Sequence, residues 1–116
     1  MTQHEITKAA PLLDASGNLT EPGWARSLLP VYCRSQIRAP KTRIKEWDYY
    51  CITDGHIGLA LTIADNGYMG LDSISFLNFD ERFEITKSPM RLFPMGKTHL
   101  PESSRLGASE IAASGY

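Results

Sequence analysis

Two aspartates, Asp48 and Asp72, are the residues whose expected placement best suits chemistry. Both are predicted to lie opposite Leu61 on one face of an antiparallel sheet. Their Cα atoms should then be about 10 Å apart, because neighbouring strands are separated by ~4.8 Å. Two carboxyl groups on an apolar wall hold different pKa values, so one can donate a proton and the other accept one. This arrangement indicates the acid–base chemistry of a hydratase or isomerase.

The same aspartates also permit a structural interpretation. Burying an unpaired carboxylate costs several kcal/mol, so such a residue is partnered, protonated or functional. Ile74 and Phe76 follow Asp72 on its face, while Gly70 precedes it and leaves room for a ligand. A purely structural Asp72 would instead be exposed to solvent or paired with an arginine, for which the candidates are Arg38, Arg43 and Arg91.

Two turn signals define the strands that must position these residues. Asp54-Gly55 and Asn66-Gly67 are flanked by runs rich in β-branched and aromatic residues, as in β-hairpins with two-residue loops. They predict antiparallel strands over residues 43–53, 56–65 and 68–79. With those dipeptides as the loops, Leu59 pairs with Ile74 and with Tyr50. The fold class is therefore predicted as all-β, an antiparallel meander.

Both faces of this meander carry apolar side chains. A freestanding antiparallel sheet usually has one apolar and one polar face, so two half-apolar faces indicate cover on both sides. The meander is thus predicted to be part of a larger barrel or sandwich that is incomplete in this chain. Small antiparallel barrels can hold one lipophilic ligand, and the residues predicted to contact it are Tyr50, Leu59, Leu61, Ile74 and Phe76. The alternative is that these side chains are ordinary core.

Composition excludes several classes of function. The net charge of −1 lacks the positive field that nucleic-acid binding needs, and no apolar run approaches the ~20 residues that cross a bilayer. Three histidines and two cysteines have no metal-site spacing, so no metal or cofactor is predicted. Cys33 and Cys51 are expected to be free thiols, and the first residues contain no apolar signal segment. These features predict a cytoplasmic protein.

The domain organisation is predicted as a β-rich partial domain over residues 1–100. A tail over residues 101–116, rich in small and polar residues, is expected to be disordered or weakly helical. Because the outer strands lack partners and both faces expose apolar side chains, the chain is expected to self-associate, either through the strand edge of residues 68–79 or through a face of the sheet left uncovered.

Several segments together resemble the start of an uncharacterised bacterial family, domain of unknown function 2804. They are Asp14, residues 17–19 (GNL), 21–25 (EPGWA), 43–50 (RIKEWDYY), 58–70 (GLALTIADNGYMG), Met90, Arg91 and 93–97 (FPMGK). The similarity covers residues 6–101 and ends after Pro101, where further strands should follow. It implies a lipocalin-like, β-rich protein of which this chain is the N-terminal part, and it supplies no catalytic residues.

Three functions follow from these observations. The first is a β-barrel-like module that binds a lipophilic small molecule. The second is an acid–base enzyme that uses Asp48 and Asp72. The third is a truncated fragment without independent activity.

Overall fold

The structure of the chain is a computed structural model that describes residues 3–112. Its described residues form two compact units, one ending at Ala39 and the other beginning at Pro40. The described part of the chain contains strands and two short 3-10 turns, and no α-helix. Within it, no helix has the length and apolar composition needed to cross a membrane.

The first unit is built around two short parallel strands. β1 (Ala10–Pro11) pairs with β2 (Pro30–Val31), and a 3-10 turn covers Arg34–Gln36. Ile6 is buried, and its backbone N–H donates to the carbonyl oxygen of Trp24 at 2.8 Å. Backbone pairing therefore fixes the N-terminal segment to the rest of this unit.

The second unit is an antiparallel sheet that begins after a 3-10 turn at Lys41–Arg43. Its strands are β3 (Glu46–Thr53), β4 (Ile57–Asp65), β5 (Met69–Asn78), β6 (Phe83–Lys87) and β7 (Met90–Leu92). The order is β3-β4-β5-β6, and β7 also pairs with β5. The prediction of an all-β meander is confirmed, and the described sheet does not close on itself.

β6 and β7 together act as one edge strand. The pairs Ile74↔Lys87 and Leu71↔Met90 belong to the same antiparallel register, so no residue is inserted between the two segments. Pro89 interrupts the ladder because it has no N–H to donate. Its carbonyl oxygen still accepts the backbone N–H of Asp72 at 3.1 Å. The edge is thus continuous in direction but broken in hydrogen bonding.

The predicted register of both hairpins is wrong by two residues. Gly55 and Gly67 have φ angles of 97° and 79°, whereas Asp54 and Asn66 have no positive φ. Each glycine therefore takes the first central position of its turn, as in type II′ turns, and the loops are centred on Gly55-His56 and Gly67-Tyr68. Moving each loop by one residue shifts the strand pairing by two.

The shift changes the neighbours of the two aspartates but not their face. Leu61 pairs with Tyr50 and Ile74, so the expectation that it separates Asp48 from Asp72 is wrong. Ile63 takes that position, because it pairs with Asp48 on one side and with Asp72 on the other. Because both loops move by one residue in the same direction, Asp48 and Asp72 still lie on either side of a single residue of β4.

Asp54 stabilises the first of these turns. Its Oδ1 atom accepts the backbone N–H groups of His56 at 2.8 Å and Ile57 at 2.9 Å. The Ile57 bond and then the His56 bond hold the pKa of Asp54 below its ordinary value of 3.8. This stabilisation is present above that ordinary value and is lost as the pH falls through the lowered pKa.

The sheet leaves large apolar side chains exposed on both faces. Because side chains alternate along each strand, the sheet has two faces. They are called the Asp72 face and the Trp47 face, after one residue of each. On the outer strand β3, Ile52 of the Asp72 face is 67% exposed and Trp47 is 64% exposed. Of the described sheet residues, Ala60 and Ala64 are the buried apolar ones. The Asp72 face carries Asp48, Tyr50, Ile52, Leu59, Leu61, Ile63, Asp65, Asp72, Ile74, Phe76, Ile85, Lys87 and Arg91.

The open edge is not the predicted one. β5 lies inside the sheet, between β4 and the β6–β7 strand, so residues 68–79 offer no free edge. Among the described strands, β3 is the uninterrupted edge.

The predicted tail has no regular structure where it is described. Residues 101–112 contain neither strand nor helix, and residues 113–116 lie outside the described residues. Ser109 donates a hydrogen bond from its hydroxyl to Oδ2 of Asp48. The tail therefore contacts the sheet, and the boundary predicted at residue 100 stays a prediction.

The two turn glycines provide a matched stability test. A Cβ on Gly67 would lie 2.6 Å from the carbonyl oxygen of Lys41, whereas a Cβ on Gly55 would meet nothing within 4 Å. Gly55→Ala should cost roughly 1–3 kcal/mol of unfolding free energy through its positive φ angle alone. Gly67→Ala should cost more, because the backbone of Lys41 must also shift. Urea denaturation of both variants measures the difference, and equal losses would contradict the described packing.

Candidate functional site

An ion pair occupies one end of the Asp72 face. Arg91 on β7 donates from Nε to Oδ2 of Asp72 at 2.5 Å and from Nη2 to Oδ1 at 2.9 Å. Asp72 is only 5% exposed, so its charge needs this partner. Gly70 lies directly opposite Arg91, and a Cβ there would come within 2.9 Å of the guanidinium carbon. The room that Gly70 leaves is thus filled by Arg91, not by a ligand.

Asp65 extends this ion pair into a polar network of Asp65, Asp72, Arg91 and Thr98. Asp65 is 2% exposed and accepts the hydroxyl of Thr98 at 3.0 Å. The Thr98 hydroxyl in turn accepts from Nη1 of Arg91 at 3.3 Å. Each member of the network therefore has a hydrogen-bonded partner, as buried charged groups require.

The network holds a backbone loop in an unusual conformation. Phe93, Met95 and His99 all have φ angles between 52° and 54°, which non-glycine residues adopt at a cost of about 1–3 kcal/mol each. Asp65 accepts the backbone N–H of Gly96 at 2.8 Å and so fixes the middle of this loop. The N–H of Met95 donates to the carbonyl of the turn glycine Gly67 at 2.9 Å. The loop and the β4–β5 turn thus support each other.

A cavity of about 540 Å³ lies beside the network on the Asp72 face. Its apolar walls are Leu61, Ile63 and Ile74 from the central strands, and Asp72 lines it at one end. The remaining lining residues are Thr62, Ser73, Lys87, Pro89 and Ile111. A cavity of this size and lining is typical of sites that hold a small molecule.

Strand pairing arranges the side chains of this face in rows across the sheet. One row is Asp48, Ile63 and Asp72, and the next is Tyr50, Leu61, Ile74 and Lys87. A third row, Ile52, Leu59, Phe76 and Ile85, is entirely apolar. The cavity lies over the first two rows, and the third extends the apolar surface away from the network.

The structure brings some of the predicted site residues together and separates others. Two of the residues predicted to contact a ligand, Leu61 and Ile74, line the cavity, and so does Asp72. Tyr50, Leu59 and Phe76 share the face but stand outside the cavity lining. Asp48 lies across Ile63 from Asp72 and is bonded to Ser109.

The arginine partner of Asp72 is Arg91, one of the three candidates that the structural interpretation names. Arg91 engages both carboxylate oxygens, which favours a structural role for Asp72. The catalytic roles assigned to Asp48 and Asp72 stay predictions. Within residues 3–112, no cluster of histidine, cysteine, aspartate or glutamate is arranged to hold a metal ion.

Sequence reasoning missed six of the residues that line the cavity: Thr62, Ile63, Ser73, Lys87, Pro89 and Ile111. Alternation along β6 does place Lys87 on the same face as Ile85, once the pairing of β6 with β5 is known. No local pattern could have located Ile111, because it belongs to a tail segment without periodicity.

The Trp47 face carries a tyrosine and a cysteine of β3. Tyr49 and Cys51 are neighbours along β3 on this face, and a hydrogen bond to Cys51 raises the pKa of Tyr49 above 10.0. Cys51 and Cys33 are both free thiols, as predicted.

Removing Arg91 should be strongly destabilising. Arg91→Ala leaves Asp72 buried without its cation and should lower the unfolding free energy by about 3–5 kcal/mol. Arg105→Ala, an exposed arginine of the same unit, is the matched control and should change it by less than about 0.5 kcal/mol. The double variant Asp72→Leu/Arg91→Met should recover most of the loss, because it removes both charges. Chemical denaturation measures all three, and equal effects of Arg91→Ala and Arg105→Ala would disprove the ion pair's role.

Comparison with known proteins identifies the family. Searches of curated proteins and of solved structures give no match. A family model described as "Domain of unknown function (DUF2804)" matches residues 3–115, so the similarity continues past Pro101, where it was expected to end. The chain therefore belongs to the DUF2804 family.

Proposed function

We propose that this protein binds a lipophilic small molecule in the cavity on the Asp72 face. The observation that carries the proposal is the cavity of about 540 Å³ whose walls are Leu61, Ile63 and Ile74. Ile74 is 48% exposed and Leu61 is 37% exposed, so both present apolar surface that a ligand would cover. Covering such surface is favourable by roughly 25 cal/mol per Å².

The polar network supports this proposal by giving the cavity a rigid end. Arg91 neutralises Asp72, so the carboxylate that lines the cavity does not repel an apolar molecule. The same pairing engages both oxygens of Asp72 in hydrogen bonds from Arg91. Binding is therefore favoured over the acid–base chemistry that the sequence also permits.

The apolar row beyond the cavity supports an elongated ligand. Leu59, Phe76 and Ile85 continue the surface away from the network and are all exposed. A molecule longer than the cavity would lie on these side chains, in keeping with a lipocalin-like mode of binding. The free thiols of Cys33 and Cys51 favour a reducing compartment such as the cytoplasm for this protein.

A neutral, environment-sensitive dye tests the proposal. Nile red should bind saturably and show a blue-shifted emission. Ile74→Glu, which places a charge on the cavity wall, should weaken binding by tenfold or more, because a charged group must then be desolvated. Ile52→Glu is the matched control, since Ile52 is exposed on the same face but outside the cavity. It should change the affinity less than twofold.

Two results would contradict the proposal. One is the absence of saturable dye binding by a folded protein, verified by its circular dichroism. The other is an equal loss of affinity in Ile52→Glu and Ile74→Glu, which would indicate nonspecific adsorption to the exposed sheet.

We also propose that two copies of this chain associate through the β3 edge. β3 is an edge strand of eight residues without proline, and it exposes Trp47 and Ile52. The opposite edge is interrupted at Pro89, a feature that discourages strand addition. These differences favour β3 over the β6–β7 strand as the associating edge.

Edge-specific charge variants test this association. Tyr49→Lys/Cys51→Lys places two like charges on β3, so an antiparallel partner strand would meet lysine opposite lysine. Sedimentation velocity should then show a shift towards monomer. Glu84→Lys/Thr86→Lys makes the same kind of change on β6 and should leave the distribution unchanged. A wild-type chain that sediments only as a monomer would contradict the proposal, as would an equal response of the two variants.

A further inference from the structure

Lys87 places a positive charge at the margin of the cavity. It is the last residue of β6 and pairs with Ile74 on β5, so it ends the row Tyr50, Leu61, Ile74, Lys87. Its side chain lines the cavity and is exposed to solvent. The apolar side chains of Leu61 and Ile74 and the ammonium group of Lys87 therefore lie in one row across the sheet.

None of the described acidic groups neutralises this cation. Among residues 3–112, no carboxylate lies within ion-pair distance of Lys87. Asp72 is engaged by Arg91 through both oxygens. Glu84 lies on the opposite face of β6, because it is an odd number of residues from Lys87.

Asp48 is too distant to compensate Lys87. It stands three strands and one row away, which corresponds to roughly 16 Å between Cα atoms. Charges at that separation are largely screened at physiological ionic strength, where the Debye length is about 8 Å. Glu110, beside the cavity residue Ile111, forms no ion pair with Lys87 either. Within residues 3–112, the positive charge at the cavity margin thus has no compensating carboxylate.

We propose that the ligand is a single-chain amphiphile with a carboxylate headgroup, bound with the carboxylate at Lys87. This inference rests on the proposed binding function and specifies its ligand class. A lone ammonium group suits a monoanion, whereas a phosphate monoester carries more charge and typically recruits several cations or arginine. The acyl chain lies over Ile74 and Leu61, and a chain longer than the cavity continues onto the apolar row of Leu59 and Phe76.

Matched twelve-carbon probes separate the headgroup from the chain. Dodecanoate and dodecanol share their apolar chain and differ in charge. Displacement of Nile red, below the concentration at which either probe aggregates, should give an affinity for dodecanoate about tenfold higher than for dodecanol. Dodecyl phosphate should bind no more tightly than dodecanoate.

Lysine variants assign the difference to one residue. Lys87→Gln should remove the preference for dodecanoate while leaving dodecanol affinity within twofold. Lys87→Glu should invert it in favour of dodecyltrimethylammonium. Lys45→Gln is the matched control, because Lys45 precedes β3 and does not line the cavity. It should leave the preference unchanged.

The outcomes distinguish this inference from the binding function on which it rests. If Nile red binds but dodecanoate and dodecanol bind equally, the carboxylate assignment is wrong and the lipophilic site stands. If dodecyl phosphate binds tenfold more tightly than dodecanoate, the headgroup assignment is wrong. If Lys45→Gln removes the preference as fully as Lys87→Gln, the position of the headgroup is wrong. If no apolar probe binds a folded protein, the proposed function itself fails.

Discussion

The buried Arg91–Asp72 ion pair is the interaction on which the organisation of the Asp72 face depends. A carboxylate as buried as Asp72 is tolerated only beside a cation, so β7 must lie where Arg91 can reach β5. That requirement holds β7 against β5, although Pro89 interrupts the backbone hydrogen bonding of the edge strand. It also favours glycine at position 70, because a Cβ there would lie 2.9 Å from the guanidinium carbon of Arg91, which the ion pair holds in place. One pair of charges therefore specifies strand pairing, side-chain size and the end wall of the cavity.

The network transmits this constraint to the loop that follows β7. Thr98 connects Arg91 to Asp65, and Asp65 holds Gly96 through its backbone N–H. Several residues of the loop adopt left-handed backbone conformations that cost free energy, and the hydrogen bonds to Asp65 offset part of that cost. Asp65 is almost fully buried at the end of β4, so the loop and the β4–β5 hairpin are stabilised together.

The sequence predicted the faces of the sheet but not its register, and the reason lies in two turns. Alternation assigns each side chain to a face, and a shift of two residues leaves that assignment intact. In the predicted register Asp54 and Asn66 are the first loop residues, but in the structure only the glycines of the two dipeptides, Gly55 and Gly67, have positive φ angles, so the glycines occupy the first central position. In Asp-Gly and Asn-Gly the glycine fits either the first or the second central position of a two-residue turn. The residue types of the dipeptide therefore could not decide between the two registers.

Long-range contacts of the site could not be read from the sequence. Arg91 was one of three arginines that could have paired with Asp72, and the choice depends on the continuous register of β6 and β7. Ser109 and Ile111 reach the sheet from a segment without periodicity, about sixty residues from Asp48 in sequence. Such contacts depend on the tertiary path of the chain, whereas the face that Leu61 and Ile74 share follows from the alternation of side chains along each strand.

The exposure of the sheet links its stability to its partners. The described sheet buries few apolar side chains, with Ala60 and Ala64 as its buried apolar residues, so burial contributes less than in a sheet covered on both faces. A molecule that binds only the folded state stabilises it in proportion to the logarithm of its concentration over its dissociation constant. An occupant of the Asp72 face would cover Leu61 and Ile74, whereas association through β3 would satisfy an open backbone edge. Because these surfaces are different, the two contributions are expected to add. On this basis the folded state of the second unit is most stable when cavity and edge are both occupied.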